Sequence, residues 1–171
     1  ERSEDQGLEH IVALQTLDRL QASANPRVDW ATTPVGLREV AADAIELVNG
    51  RAQGQGTSVQ LEGSGRRAIV AGDPGLLRDV VTELLLNALD AVGSAGTVTI
   101  TVGTRAGGWA FLTISDSGPG VSAEQREHLF EPHFTTKRAG TGMGLFTAFG
   151  IIREHGGKLV YEGGGKRGGV F

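Results

Sequence analysis

Three polar side chains interrupt the almost wholly apolar centre of the stretch between residues 74 and 92. Glu83, Asn87 and Asp90 are separated by four and three positions, a spacing that places them on one face of a helix. Oxygen ligands of this kind suit Mg²⁺, which often bridges to substrate phosphates. A carboxylate one turn before the amide can also orient or deprotonate a nucleophile. The alternative interpretation is a solvated polar stripe on a surface helix.

A second candidate group follows a predicted strand. Asp116 opens the run Asp-Ser-Gly-Pro-Gly-Val directly after residues 111–115. An aspartate at a strand end can accept a hydrogen bond from an exocyclic amine, and Gly118 and Gly120 would let a planar base approach the backbone. An ordinary turn would explain the same pattern.

A third candidate group is glycine-rich and opens a predicted helix. Gly140, Gly142 and Gly144 precede or begin it, and backbone N–H groups at such a helix start form an anion site. The spacing differs from the dinucleotide-binding fingerprint, and no Gly-Lys pair is followed by Ser or Thr, so a P-loop is excluded. The preceding loop, 132–141, carries Lys137, which would contact a phosphate if the loop closed over a ligand.

Composition excludes several other classes of function. The 171 residues contain no cysteine, which rules out disulfides, thiol chemistry and Cys-based metal sites. A net charge of −4 gives no global basic footprint for nucleic acid. No apolar run approaches the length of a membrane span.

Periodicity and chain breakers predict the elements that must position these groups. Helices are predicted over 7–22, 34–49, 74–92, 123–130 and 143–155, and strands over 59–61, 68–71, 98–102, 109–115, 159–161 and 170–171. Thr33 and Gly50 are the expected ends of the second helix, and Asp73-Pro74 and Gly93 those of the third. Because the strands mostly come in adjacent pairs, the pattern favours an α+β fold with an antiparallel-rich sheet.

In their order along the chain, these motifs resemble the ATP-binding domain of sensor histidine kinases, within the gyrase, Hsp90, histidine kinase and MutL ATPase superfamily. The matching segments are ELLLNALDA, DSGPGV, FEPHFTTK and GTGMGL, and the resemblance covers residues 28–171. It implies a two-layer α/β sandwich of the Bergerat type, in which a mixed, antiparallel-rich sheet packs on helices.

The resemblance also implies roles for the matched residues. Asn87 would bind the Mg²⁺ that bridges the ATP phosphates, Glu83 would be a second metal-ligand candidate and a general base, and Asp116 would hold the adenine amino group. The other residues implied at the ATP site are Asp90, Gly118, Gly120, Val121, Phe130, Phe134, Thr136, Lys137, Gly140, Thr141, Gly142, Met143, Gly144 and Leu145. Residues 132–141 would form a mobile ATP lid. Asp90 departs from the pattern, because many of these kinases carry a basic residue there, so one phosphate contact is missing or supplied elsewhere.

The expected function is that of the catalytic domain of a two-component sensor histidine kinase, which uses ATP and Mg²⁺ to phosphorylate a histidine. That histidine is expected outside this chain, since the residues after His10 do not match the phosphoacceptor pattern. Residues 1–27 are predicted to end a dimerisation hairpin or to connect to it, and 28–171 to form the catalytic domain with a truncated last strand. All four histidines, at positions 10, 128, 133 and 155, are expected to be ordinary surface or loop residues.

The resemblance implies three further properties of the full protein. Its partners would be its own dimerisation and phosphoacceptor domain and, through that domain, a response regulator. It would be a homodimer, and this domain would be cytoplasmic whether or not the full protein is membrane-anchored. Two alternatives remain open, namely an ATP-hydrolysing conformational switch and a non-catalytic nucleotide-binding module.

Overall fold

Helices and strands are mixed along the chain. The computed structural model describes residues 12–15, 33–63, 68–137 and 140–163. The helices in these ranges are α1 (Leu37–Gln55), α2 (Pro74–Val92), α3 (Ala123–His128) and α4 (Gly144–Glu154). The strands are β1 (Val12–Gln15), β2 (Pro34–Gly36), β3 (Ser58–Glu62), β4 (Ile69–Ala71), β5 (Thr97–Arg105), β6 (Trp109–Asp116) and β7 (Lys158–Leu159). None of the helices in the described ranges combines the length and the apolar content that crossing a membrane requires.

Five of the strands form one mixed sheet in the order β3-β5-β6-β1-β7. Strands β3 and β5 are parallel, whereas the other neighbours are antiparallel. Strand β5 alternates, so that Val98, Ile100 and Val102 are buried in the core that also takes the apolar faces of α1, α2 and α4. Strands β2 and β4 form a separate antiparallel pair. The predicted α+β fold, with an antiparallel-rich sheet packed on helices, is confirmed.

Helix α2 has the start and end that the sequence predicts. The Asp73 carboxylate caps the helix by accepting a hydrogen bond from the Leu76 N–H at 2.9 Å. Pro74 occupies the first turn, and Gly93 ends the helix with a φ of 72°. Seven of its nineteen residues are buried, all of them apolar, and they form one broad face that packs in the core.

The bounds predicted for the helix over 34–49 were wrong at both ends. Strand β2 precedes it and pairs with β4, a long-range contact that satisfies backbone groups in place of a cap at Thr33. The helix therefore begins after Gly36, without a side-chain cap. It passes through Gly50 and ends at Gly56, whose φ of 65° is the left-handed conformation that helix ends favour in glycine.

The N-terminal prediction was also wrong where the structure describes it. Residues 12–15 form strand β1, not part of a helix over 7–22. β1 lies between β6 and β7 and pairs with both, so it satisfies backbone groups that a sheet edge would leave unpaired. A run as short as Val-Ala-Leu-Gln is compatible with a strand as well as with a helix. The remainder of that helix and the strand at 170–171 lie outside the described residues, and the boundary between 1–27 and 28–171 stays a prediction.

One histidine is a core residue, contrary to the expectation for all four. His155 is buried and joins the end of α4 to the start of α2. Its Nδ1 lies 2.8 Å from the Ile151 carbonyl oxygen, and its Nε2 accepts a hydrogen bond from the Asp73 N–H at 3.1 Å. A neutral imidazole supplies the one donor and one acceptor that this position requires. His128 and His133 are exposed, as predicted, and His10 lies outside the described residues.

Replacing His155 by alanine is expected to destabilise the fold. The Asp73 N–H would lose its acceptor in a partly buried position, which costs about 1–3 kcal/mol before any cavity is counted. Urea unfolding should therefore show a lower midpoint with an unchanged slope. His128→Ala, at an exposed position, is the matched control and should lower the midpoint much less. Equal midpoints for His155→Ala and the parent chain would contradict the bridging role.

Candidate functional site

The polar face of α2 connects directly to the loop that precedes α4. Asn87 Nδ2 donates a hydrogen bond to Glu83 Oε1 at 3.3 Å, and Asn87 Oδ1 accepts one from Lys137 Nζ at 2.5 Å. The same ammonium group forms an ion pair with Asp90. Glu83, Asn87 and Asp90 thus share one cluster with a lysine that lies fifty positions after Asn87 in the sequence.

Asp90 has a second cationic partner that sequence reasoning missed. Arg51, near the end of α1, forms an ion pair with the other carboxylate oxygen of Asp90. No local signal in the sequence could have identified this contact, because it depends on how α1 packs against α2. Arg51 places a basic side chain beside Asp90, the position at which many of the kinases that the sequence resembles carry a basic residue of their own.

Glu83 also contacts the start of α4. A Cβ atom on Gly144 would lie only 1.9 Å from Glu83 Oε1, so glycine is the residue that allows this approach. The carboxylate therefore sits against the first residue of the helix, where the helix dipole favours negative charge. The first turn of α4 and the polar face of α2 form one continuous surface.

The aspartate after β6 lies beside the last turn of α2. Asp116 is buried, and its Oδ1 accepts a hydrogen bond from the Gly118 N–H at 2.8 Å. A Cβ on Gly118 would come within 2.7 Å of the Ala91 carbonyl oxygen, so this backbone turn lies directly against the last turn of α2. A ligand bridging Asp116 and Asn87 would therefore follow the course of α2.

Tyr161 supports the turn after Asp116 and was not among the predicted site residues. Its hydroxyl accepts a hydrogen bond from the Val121 N–H at 2.8 Å. Burial raises the pKa of the Tyr161 phenol above its usual value of 10.0, although the hydrogen bond from Val121 opposes this shift. The nearby Asp116 carboxylate raises the pKa further, and Arg126 lowers it. Gly120, in the same turn, has a φ of 72° that favours glycine.

The two ends of the predicted lid are joined to each other. The His133 N–H donates to the Gly142 carbonyl oxygen at 3.0 Å, and a Cβ on Gly142 would lie 2.3 Å from the His133 carbonyl carbon. His133 has a φ of 66°, which is rare for a residue other than glycine. Thr141 Oγ1 accepts from the Met143 N–H at 3.4 Å, just before α4 begins.

The aromatic residues of the predicted site differ in their surroundings. Phe130 packs on the core and stacks on Phe149, with 5.1 Å between ring centroids. Phe134 instead lies 5.9 Å from the ring of His128. A hydrogen bond with Glu131 raises the pKa of that exposed histidine.

The remaining predicted site residues divide by exposure. Thr136 and Gly140 are exposed, whereas Met143 and Leu145 are partly buried. Leu145 also packs against the core.

The cluster around Asn87 is suited to a cation, although it does not form a complete metal cage. Among the described residues, no group of three or more His, Asp or Glu side chains could hold a metal ion. A positive group nevertheless already rests on Asn87 Oδ1, in the form of the Lys137 ammonium. Asn87 and Glu83 thus fit a Mg²⁺ ion that takes most of its ligands from phosphates and water.

A buried aspartate beside the last turn of α2, an amide on that helix, a lysine and a glycine-rich helix start together define a nucleotide-binding type of site. Comparison with known proteins agrees with this geometry. The family model described as histidine kinase-, DNA gyrase B-, and HSP90-like ATPase matches residues 72–171. The chain therefore belongs to this ATPase family.

Individual relatives point to the histidine kinase branch. The chain is 34% identical over 137 residues to the sensor histidine kinase ZraS of Klebsiella oxytoca, a match that covers 80% of this chain and 30% of ZraS. The catalytic domain of histidine kinase ThkA is 29% identical with a TM-score of 0.73, and the match covers 81% of this chain and 91% of that one. ThkA in complex with the response regulator protein TrrA gives 25% identity and a TM-score of 0.70, over 90% of this chain and 43% of that one.

The raised pKa of Tyr161 yields a titration prediction. Because the pKa is higher in the folded chain than in the unfolded chain, the folded state should lose stability as the pH rises above 10.0, through the folded-state pKa. Tyr161 is the only tyrosine of the chain, so the ultraviolet absorbance of tyrosinate reports it alone. The midpoint should lie above 10.0 in buffer and return to the usual value in urea. The same midpoint in both solvents would show that the phenol is not buried.

Proposed function

We propose that this chain is the ATP-binding catalytic domain of a sensor histidine kinase and donates the ATP γ-phosphoryl group to a histidine outside residues 1–171. The chain spans less than a third of the length of ZraS, so the activity concerns the larger protein. The observation that carries the proposal is the contact of Lys137 with Asn87 on α2, beside the glycine-rich start of α4.

The adenine end of the proposed site is the turn after β6. The Asp116 carboxylate would accept a hydrogen bond from the adenine amino group, because a buried carboxylate favours a donor. Gly118, Gly120 and Val121 would line the ring, with Tyr161 holding the Val121 N–H from behind. Phe130 and Phe134 would border the pocket on the side of the lid.

The phosphate end lies between α2 and α4. Lys137 would move from Asn87 to the phosphates, where the backbone N–H groups at the start of α4 add partial positive charge. The phosphate-contacting set comprises Thr136, Lys137, Gly140, Thr141, Gly142, Met143, Gly144 and Leu145, with Asp90 beside it.

Asn87 and Glu83 are the residues that would hold Mg²⁺. When bound, the ion would neutralise phosphate charge, a main requirement of phosphoryl transfer. Asn87 would offer its amide oxygen, and Glu83 would orient that amide through the existing hydrogen bond. Lys137 would compensate for charge on the transferring group, and the acceptor histidine would approach from outside the site.

The proposed partners follow from the same assignment. The dimerisation and phosphoacceptor domain of the homodimeric kinase would supply the histidine, and a response regulator would then take the phosphoryl group from it. The complex of ThkA with TrrA supports a regulator partner of this kind. We assign the domain to the cytoplasm on the same basis.

Two substitutions should remove nucleotide binding. Asn87→Ala removes the proposed metal ligand, and Asp116→Ala removes the adenine acceptor. Loss of one charge-assisted hydrogen bond corresponds to a loss of about tenfold or more in affinity. Calorimetric titration of the 171-residue chain with ATP at a fixed Mg²⁺ concentration measures it. Asn49→Ala, at an exposed asparagine of α1, is the control. Parent-like affinity in both variants would refute the site.

The position of Glu83 favours one alternative, an ATP-hydrolysing switch. A carboxylate next to Asn87 would be able to deprotonate water rather than only orient the amide. In the kinase, Glu83→Gln should keep most ATP hydrolysis by this chain, whereas in the switch it should abolish hydrolysis. The kinase proposal further requires that the chain, joined to its phosphoacceptor domain, form acid-labile phosphohistidine from labelled ATP. Hydrolysis that depends on Glu83, without any phosphohistidine, would establish the switch instead.

A further inference from the structure

One carboxylate at the phosphate end holds two cations from different elements. Asp90 of α2 pairs through one oxygen with Arg51 of α1 and through the other with Lys137 of the lid. Their side chains are partly exposed, at 29% for Asp90, 41% for Arg51 and 42% for Lys137. The three charges therefore connect α1, α2 and the lid within reach of solvent and of an arriving ligand.

Within this network, Lys137 can bind either to the acceptors on α2 or to the phosphates of a nucleotide. In this structure its ammonium is held by Asn87 and Asp90. A triphosphate would compete for the same group, and Asp90 would repel the triphosphate at the same time. An unneutralised Asp90 therefore opposes nucleotide binding in two ways, by retaining the lysine and by repelling the phosphates.

We propose that Arg51 is a positioning residue that neutralises Asp90 and thereby frees Lys137 for the triphosphate. The proposal rests on the proposed function, since it assumes that nucleotide phosphates lie beside Asn87. Arg51 keeps its own carboxylate oxygen when Lys137 leaves, so the charge of Asp90 stays compensated throughout. The basic side chain that this position on α2 lacks is supplied by α1, and it acts through Asp90 rather than on the nucleotide.

The proposal predicts that substitutions of Arg51 and of Asp90 change the affinity for ATP in opposite directions. Arg51→Ala should weaken ATP binding by about two- to fivefold, the range expected for a partly exposed ion pair. Asp90→Asn should strengthen it by a similar factor, because the competitor for Lys137 disappears. Arg51→Lys keeps the charge and should restore most of the affinity that Arg51→Ala loses.

The double variant separates this role from a direct contact. With asparagine at position 90, the Arg51→Ala change should have little effect, since there is no carboxylate to neutralise. The effect of Arg51→Ala should also shrink at high salt. Equal losses from Arg51→Ala with aspartate and with asparagine at position 90 would mean that Arg51 contacts the phosphates itself. Weaker binding by Asp90→Asn would mean that Asp90 assists the nucleotide. Either result overturns the proposal.

Calorimetric titration with ATP at one fixed Mg²⁺ concentration measures all of these variants of the 171-residue chain. Arg105→Ala, whose guanidinium lies over Phe111 at the far end of the β5–β6 hairpin, is the control for loss of a positive charge. Asp43→Asn, on the exposed face of α1, is the control for loss of a negative one.

An Asn87→Ala arm separates the two proposals. Parent-like binding by this variant would refute the nucleotide site as a whole. Loss of binding there, with no change from Arg51→Ala or Asp90→Asn, would refute only the role of Arg51.

Discussion

Burial of one broad apolar face of α2 is the constraint from which the site follows. Leu84, Leu85, Ala88 and Leu89 have no exposed surface, and burying each leucine contributes about 1.5–3 kcal/mol relative to exposing it. A rotation of the helix would bring carboxylates into that core, where an unpaired charge is strongly disfavoured. Apolar packing therefore decides which way the polar face points. The polar residues themselves do not have to stabilise the helix and are free to bind a ligand.

The other parts of the site come from distant segments that pack against this fixed helix. Two of them approach so closely that glycine is required, at Gly118 beside the Ala91 carbonyl and at Gly144 beside Glu83. A methyl group at either position would separate the segment from α2 by the width of the side chain. The chain contains 27 glycines among 171 residues, and part of this content is thus a consequence of close packing around one helix, and not of flexibility.

Prediction from the sequence succeeded where the determining interactions are local. The ends of α2 are specified by Asp73, Pro74 and Gly93, and each acts within a few residues of itself. The start of α1 was missed because it depends on pairing between β2 and β4, which lie far apart in sequence. The ion pair of Arg51 with Asp90 was missed for the same reason. The order of the motifs along the chain was enough to identify the protein family. It did not identify the residues from other elements that packing brings into contact with those motifs.

The backbone hydrogen bond between His133 and Gly142 lowers the entropic cost of ordering the predicted lid. A chain segment that must bring its ends together loses about 2 kcal/mol of conformational freedom for a loop of about ten residues. Here the hydrogen bond between these residues has already brought the ends together before any ligand arrives. Ordering the predicted lid over a nucleotide would then restrict only the residues between the two ends. The predicted lid would then be tethered at both ends, without the closure cost that a free segment of the same length would bear.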